Sequence, residues 1–287
     1  MGGSPEETLP QNPLASKKTE WKTELQIAVL LKQVPETEAF IRIANDGVSI
    51  ITEDLQWVIN PFDALAVEEA LRIRDDHGGK VTIFSVGDKN NIKSLQTALA
   101  MGGDEGLLII DETVRKSGSY DGLRIAKILA AAMKPIGFDL IIAGQRAIDD
   151  GNYLVGPAVA EYLGVPNISM AIKAEITKGH IRCLCTIEGG TVTLESPLPA
   201  LFTTQRGINQ PRSASLSGIF MARKKPLTIK SLKDIGLDEK KLAPSMTKIM
   251  KIYLTPKRSG IRVVEGASAQ EKAARLVNAL HQDSKVI

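Results

Sequence analysis

Apolar positions along this chain alternate between two rhythms from about Leu25 onward: short β-branched runs, then stretches with apolar residues every three to four positions. Residues 27–32 read as a first strand, and residues 40–44 and 48–51 flank Asn45-Asp46-Gly47, a sequence suited to a hairpin turn and read as an insertion. A strand at 56–59 leads to Asn60 as N-cap and Pro61 in the first turn of a helix that carries Ala64, Val67 and Leu71 on one face and ends near His77-Gly78-Gly79. Strand 81–86, helix 91–101, strand 107–110, helix 122–133, strand 140–143 and helix 153–163 follow, the last stopped by Gly164-Val165-Pro166. Such alternation predicts an α/β fold with an open, mostly parallel sheet and helices on both faces.

Beyond Pro166 the texture becomes β-rich, with strands at 169–176, 180–187 and 191–195 joined at Lys178-Gly179 and Gly189-Gly190, a meander extending the sheet. Residues 205–217 hold few large apolar side chains and are too long for a simple connection, which marks a functional loop. The chain closes with the capping box Ser268-Ala269-Gln270-Glu271 and a helix bearing Ala273, Leu276, Val277 and Leu280 on one face. That face either wraps a neighbouring subunit or folds back on its own domain. The expected organisation is a polar tail at 1–24, an α/β domain at 25–230 and a C-terminal arm at 231–287.

The 287 residues are 43% hydrophobic and 24% charged, which excludes wholesale disorder, and the formal net charge of +3 gives no basic domain for nucleic acid. Apolar runs fall far short of the roughly 20 residues that cross a bilayer, so no direct membrane insertion is expected. Cys183 and Cys185 lie two apart in a strand, poor geometry for a disulfide, and point to a reducing compartment. The tail lacks the features of a secretory signal or transit peptide. A bacterial or archaeal cytoplasm is expected, with the mitochondrial matrix as the alternative.

Of the histidines, His77, His180 and His281, none lies in a cluster with metal-ligand spacing or near a nucleophile, so neither a metal site nor an acid–base centre is expected. Gly-x-Gly-x-x-Gly and the Gly-x-x-x-x-Gly-Lys-Ser/Thr phosphate loop are absent. The candidate binding loop is Gly144, Gln145, Arg146, Ala147, Ile148, Asp149, Asp150, Gly151, Asn152, Tyr153, Leu154 and Val155, between a hydrophobic strand and a helix. Loops at the carboxyl ends of parallel strands form the ligand crevice, and the next helix offers free N–H groups to a phosphate. The plainer reading is a polar loop in which Asp149 or Asp150 caps the helix. Asn60, Pro61, Phe62 and Asp63 form a second such loop at the same sheet edge.

Lys32-Gln33-Val34-Pro35, Asn60-Pro61-Phe62-Asp63 with Ala66-Val67-Glu68-Glu69-Ala70, Ala98-Leu99-Ala100-Met101-Gly102, the Gly144 loop running on to Gly156-Pro157, Glu188-Gly189-Gly190 with Leu198-Pro199-Ala200, and Asn209-Gln210-Pro211-Arg212 occur here in order and spacing. Together they resemble the beta subunit of electron transfer flavoproteins, from about Leu25 to about Leu280. The resemblance implies an adenine-nucleotide alpha-hydrolase-like fold and a heterodimer whose alpha subunit carries most contacts to a shared FAD, while this subunit holds a structural AMP. Carried over position by position, the AMP site comprises Leu30, Asn60, Pro61, Phe62, Asp63, Val86 and the loop from Gly144 to Val155. Phe62 faces the partner's flavin, or else is a core aromatic. The stretch 206–221 matches the family's recognition loop, with Leu216 as anchor and Ile219, Met221 and Arg223 beside it.

The implied role is an electron carrier with no substrate chemistry of its own. Acyl-CoA dehydrogenases or other flavin dehydrogenases, as in fatty acid beta-oxidation, donate, and a quinone oxidoreductase accepts. Two departures stand out: Ser213 where many relatives carry tyrosine, and Thr186 where an acidic residue often precedes Glu188-Gly189-Gly190. An electron-bifurcating form, with a second FAD here in place of AMP to oxidise NADH, is the main alternative. Val155-Gly156-Pro157 resembles that group, whereas its Asp-Thr-Ala-Gln run is missing. A non-redox nucleotide sensor is a further alternative. An adenylate-forming enzyme would need Ser-Gly-Gly-x-Asp after the first strand, where Lys32-Gln33-Val34-Pro35 stands.

Overall fold

A computed structural model describes residues 24–111, 121–238, 242, 247–256 and 260–287. The expected tail at 1–24 lies, but for Glu24, outside the described residues. Among those described, nine strands form one sheet in the order β11-β5-β4-β1-β6-β10-β7-β8-β9. They are β1 (Leu25–Leu30), β4 (Gly79–Gly87), β5 (Glu105–Ile110), β6 (Leu140–Gly144), β7 (Asn167–Thr177), β8 (His180–Ile187), β9 (Gly190–Pro197), β10 (Ala200–Thr204) and β11 (Leu227–Ser231). Pairing is parallel from β11 through to β7 and antiparallel at β7-β8 and β8-β9, so the predicted meander does extend a mostly parallel sheet.

Central strands here are covered on both sides, which is why β1 and β4 read as nearly unbroken apolar runs rather than alternating ones. Leu25, Ile27 and Val29 of β1 join one core with helices α1 (Pro61–His77) and α2 (Asn91–Met101). Ala28 and Leu30, one position out of phase, join the other core with α3 (Gly122–Met133) and α4 (Val155–Leu163). Cys183 and Cys185 are buried, unbridged, on the first side. Phe84 is fully buried in the second core and meets Phe138 edge-to-face, with ring centroids 5.4 Å apart.

Several elements differ from the sequence reading. The expected hairpin at 40–51 is reduced to one bridge between Ile43 and Ile50, because Asp46 spends its carboxylate on the amides of Val48 and Ser49 and tightens the turn locally. The antiparallel pair in this region is instead β2 (Gln33–Pro35) with β3 (Trp57–Ile59). α4 starts at Val155 rather than at 153, since Tyr153 has a positive φ of 57° that a helix cannot use. β10 and β11 were not anticipated; β10 follows Leu198-Pro199 and is buried throughout. The expected recognition loop contains a seven-residue helix, α5 (Leu216–Ala222), capped by the Ser215 hydroxyl.

A separate unit begins at Ile252. Its helix α6 (Ala269–Asn278) has the predicted cap: the Ser268 hydroxyl accepts from the Glu271 amide. The Glu271 carboxylate reaches one residue further back than a capping box requires, to the Ala267 amide. Truncating Phe84→Ala is expected to lower unfolding free energy by about 3–5 kcal/mol. In the isolated chain Ile261→Ala, whose side chain is 94% exposed, is expected to change it by less than about 0.5 kcal/mol. Urea titration of each variant checks both.

Candidate functional site

From β1 the chain builds β4 and then β5 to one side, and returns through α3 to place β6 on the other. The strand order therefore reverses between β1 and β6, the point where an open parallel sheet parts its loops and leaves a crevice. A cleft of about 550 Å³, its open mouth included, lies there. Of the residues expected at a nucleotide site, Leu30, Asn60, Asp63, Val86, Gly144, Gln145, Arg146, Ala147, Asp150, Asn152, Leu154 and Val155 line it. Pro61, Phe62, Ile148, Asp149, Gly151 and Tyr153 do not. Leu31, Lys32, Ile125, Leu129, Ala143 and Gly156 line it without having been anticipated. Lys32 and Leu31 adjoin a strand end already implicated, but nothing local in the sequence tells that Ile125 and Leu129, one turn apart on α3, lean over this spot.

Two polar residues at the start of α1 set the cleft's geometry. Asp63 is 6% exposed; its carboxylate accepts from the Lys32 amide at 2.7 Å and from the Gly144 amide at 3.1 Å, so one side chain ties the ends of β1 and β6. Burial pushes this carboxyl up to about 7, against the pull of those hydrogen bonds. Asn60 does not cap α1 with its side chain, as the sequence reading expected. Its Nδ2 donates to the Arg146 carbonyl at 2.8 Å and its Oδ1 accepts from the Ile148 amide at 3.2 Å, so it pins the β6–α4 loop instead. Gly144 is required by this closeness, because a Cβ there would stand 2.3 Å from Asp63 Oδ1 and 2.7 Å from Phe62 Cβ.

The rest of the loop is held by ion pairs and by contacts between a guanidinium and two rings. Lys32 Nζ meets Asp149 Oδ1 at 2.7 Å and Asp150 Oδ2 at 3.0 Å, so these aspartates secure the loop and neither caps the helix. The N-cap of α4 is Leu154, and no side chain caps it. Helix geometry leaves the amides of Val155 and Gly156 without intrahelical partners, and Pro157 has none to offer. Gln145 is 6% exposed; its Nε2 donates to Gln205 at 2.9 Å, while its Oε1 is buried with no partner among the described residues. Arg146 stacks between two rings, its guanidinium carbon 5.3 Å from the centre of Phe62 and 5.4 Å from that of Tyr153. Phe62 is 2% exposed and belongs to the core, with Arg206 also over its ring.

On α5, Leu216 is 79% exposed, and Ile219 and Met221 are exposed with it. Phe220, not singled out beforehand, is exposed too and lies under the Arg223 guanidinium at 6.0 Å. Among the described residues no group of three or more His, Cys, Asp or Glu side chains is placed to hold a metal ion, and no helix is long and apolar enough to cross a membrane.

The Asp63 carboxyl gives a pH signature. Its value is about 7 when folded against an ordinary 3.8, so below pH 4 both states hold the proton and the group contributes nothing to pH dependence. Between 3.8 and about 7 the unfolded chain releases the proton that the native state keeps, and stability falls as pH rises; above about 7 the difference is constant. Asp63→Asn is expected to remove this slope whatever its fixed cost from the lost amide bond. Urea midpoints of parent and variant across pH 4–8 check it; parallel curves would refute it.

The chain matches the family model described as "Electron transfer flavoprotein domain" over residues 48–235. It is 37% identical to the electron transfer flavoprotein subunit beta of Bacillus subtilis over 264 residues, 92% of this chain and 100% of the relative. Identity is 35% to the subunit beta of Clostridium acetobutylicum, over 90% of this chain and 99% of the relative. It is 33% to the caffeyl-CoA reductase-Etf complex subunit CarD of Acetobacterium woodii, over 90% and 98%. With its α/β fold, its crevice at the strand-order reversal and these relatives spanning its length, the chain belongs to the electron transfer flavoprotein beta-subunit family.

Proposed function

We propose that this subunit pairs with an electron transfer flavoprotein alpha subunit and relays electrons from acyl-CoA or other flavin dehydrogenases, through an FAD the two subunits share, to a quinone oxidoreductase. The cleft between β1 and β6 holds AMP. The observation that carries this reading is the cleft's make-up: the apolar strand ends Leu30, Val86 and Ala143 with Ile125 and Leu129 on one side, and an uncapped helix start on the other. Flat apolar walls suit adenine, and the Val155 and Gly156 amides with the dipole of α4 suit a phosphate. The orphaned Gln145 Oε1 is an acceptor awaiting a donor, which an amino or hydroxyl group of the nucleotide supplies.

The FAD, when bound, supplies the redox chemistry; this chain's share is to position and shield. Phe62, buried at the start of α1 beneath Arg146 and Arg206, backs the surface assigned here to the flavin. The exposed side chains of α5 dock on the donor, with Leu216 as anchor: an apolar side chain on a small interface can dominate its affinity. The unit from Ile252 onward, in which Tyr253, Leu254, Ile261 and Val263 are exposed, embraces the alpha subunit. A bacterial or archaeal cytoplasm fits a chain whose two cysteines remain unbridged.

Co-expression with the alpha partner, denaturation of the complex and chromatographic quantitation of released cofactors test the reading. One FAD and one AMP per heterodimer are expected. Two FAD and no AMP would replace it with the bifurcating form, and nucleotide without any flavin would leave only a sensor.

A further inference from the structure

The segment ahead of α5 has little internal means of holding its shape. Residues 208–215 form no helix or strand, and α5 itself is seven residues long, below what sustains a helix alone. Its shape is supplied from outside by one face of α1. Leu65, Glu68 and Glu69 stand at i, i+3 and i+4 there, and all three engage the segment. Asn209 Nδ2 donates to the Leu65 carbonyl at 3.0 Å and to Glu69 Oε2 at 2.8 Å. Glu68 accepts three bonds from Arg212: from the backbone amide at 3.1 Å and Nε at 2.8 Å on Oε2, and from Nη2 at 3.1 Å on Oε1.

The Glu68 side chain is 5% exposed. Burial alone would raise its carboxyl, but the bonds from Arg212, with one from Arg72 Nε at 3.2 Å, outweigh this and leave it below the ordinary range, while burial raises that of Glu69. A buried charge of this kind is costly unless its geometry is fixed by several hydrogen bonds, and a surface connection has no need of one for stability alone. A second anchor follows α5: Lys225 Nζ donates to the carbonyls of Leu99 at 2.9 Å and Gly103 at 2.6 Å. Between the anchors Gly218 closes on α2, where a Cβ would stand 2.4 Å from the Ala100 carbonyl oxygen. The result is a short helix pinned on both flanks with Leu216, Ile219, Phe220 and Met221 turned outward.

We propose that Glu68, Arg212 and Asn209 are positioning residues that clamp the segment leading into the docking helix to α1 and so preorganise that helix for the electron donor. This rests on the docking role given to Leu216 above. Preorganisation lowers the ordering cost of binding, so the clamp acts on association with the donor and leaves the chemistry after docking unchanged.

The test uses the whole heterodimer, with a flavin dehydrogenase as donor and the heterodimer as varied substrate. The variants are Arg212→Met, the pair Glu68→Leu with Arg212→Met, which leaves no lone buried charge should the single change fail to fold, and Leu216→Ala. The clamp variants are expected to raise KM for the heterodimer about tenfold, roughly one hot-spot contact, at unchanged kcat and unchanged AMP content. Amide exchange at Ile219 should quicken. Added to Leu216→Ala they should raise KM no further, because both act through one helix. If Leu216→Ala raises KM and the clamp variants do not, or if Ile219 exchange stays at the parent rate, the clamp is wrong. If Leu216→Ala itself changes nothing, the docking reading fails and the clamp proposal falls with it.

Discussion

Asp63 is one carboxylate shared between two strands. Its oxygens hold the amides of Lys32 and Gly144, residues that follow β1 and end β6, at the place where the strand order reverses. Parallel strands must splay there because their connections leave in opposite directions, and a splayed edge exposes backbone N–H groups with no ladder partner. Asp63 satisfies two of them and fixes the gap's width. Asn60, three residues earlier, does the same for the loop beyond β6. The N-terminus of α1 is thus a polar rivet, and the close approach it demands explains why position 144 admits only glycine.

From that rivet α1 extends as a strut. Its first turn shapes the cleft, its buried face is the core over β1 and β6, and its third turn carries the carboxylates that grip Arg212 and Asn209. One helix accordingly sets both the cleft and the segment that leads into the exposed helix α5. The acidic residues along it are not equivalent. Asp63 is raised by burial despite two amide donors, whereas Glu68 lies low because a guanidinium fork meets it.

Much of this was legible in the chain. The βα rhythm gave the parallel sheet, helices 91–101 and 122–133 were read to the residue, and the loop at Gly144 was marked because it follows a buried strand and precedes a helix. What escaped was whatever depends on distant partners. Asn60 has the type and position of an N-cap, and nothing nearby says that the backbone of Arg146, 86 residues on, competes for it. Asp149 and Asp150 look like caps until the fold brings Lys32 to them. β10 is five residues long with no alternation, and β11 is a half-exposed edge strand in a stretch of weak periodicity, so neither carries a strong local signal.

Because the cleft depends on the rivet, AMP affinity is the quantity that reports on it most directly. Isothermal titration of AMP into nucleotide-free heterodimer compares the parent with Asn60→Ala, which removes the tie between the start of α1 and the loop beyond β6. A loss of about tenfold or more in affinity is expected, with the fold retained, as the Arg146 carbonyl and Ile148 amide lose their partner and the loop relaxes. Equal affinity in parent and variant, or no AMP binding by the parent, would contradict the account.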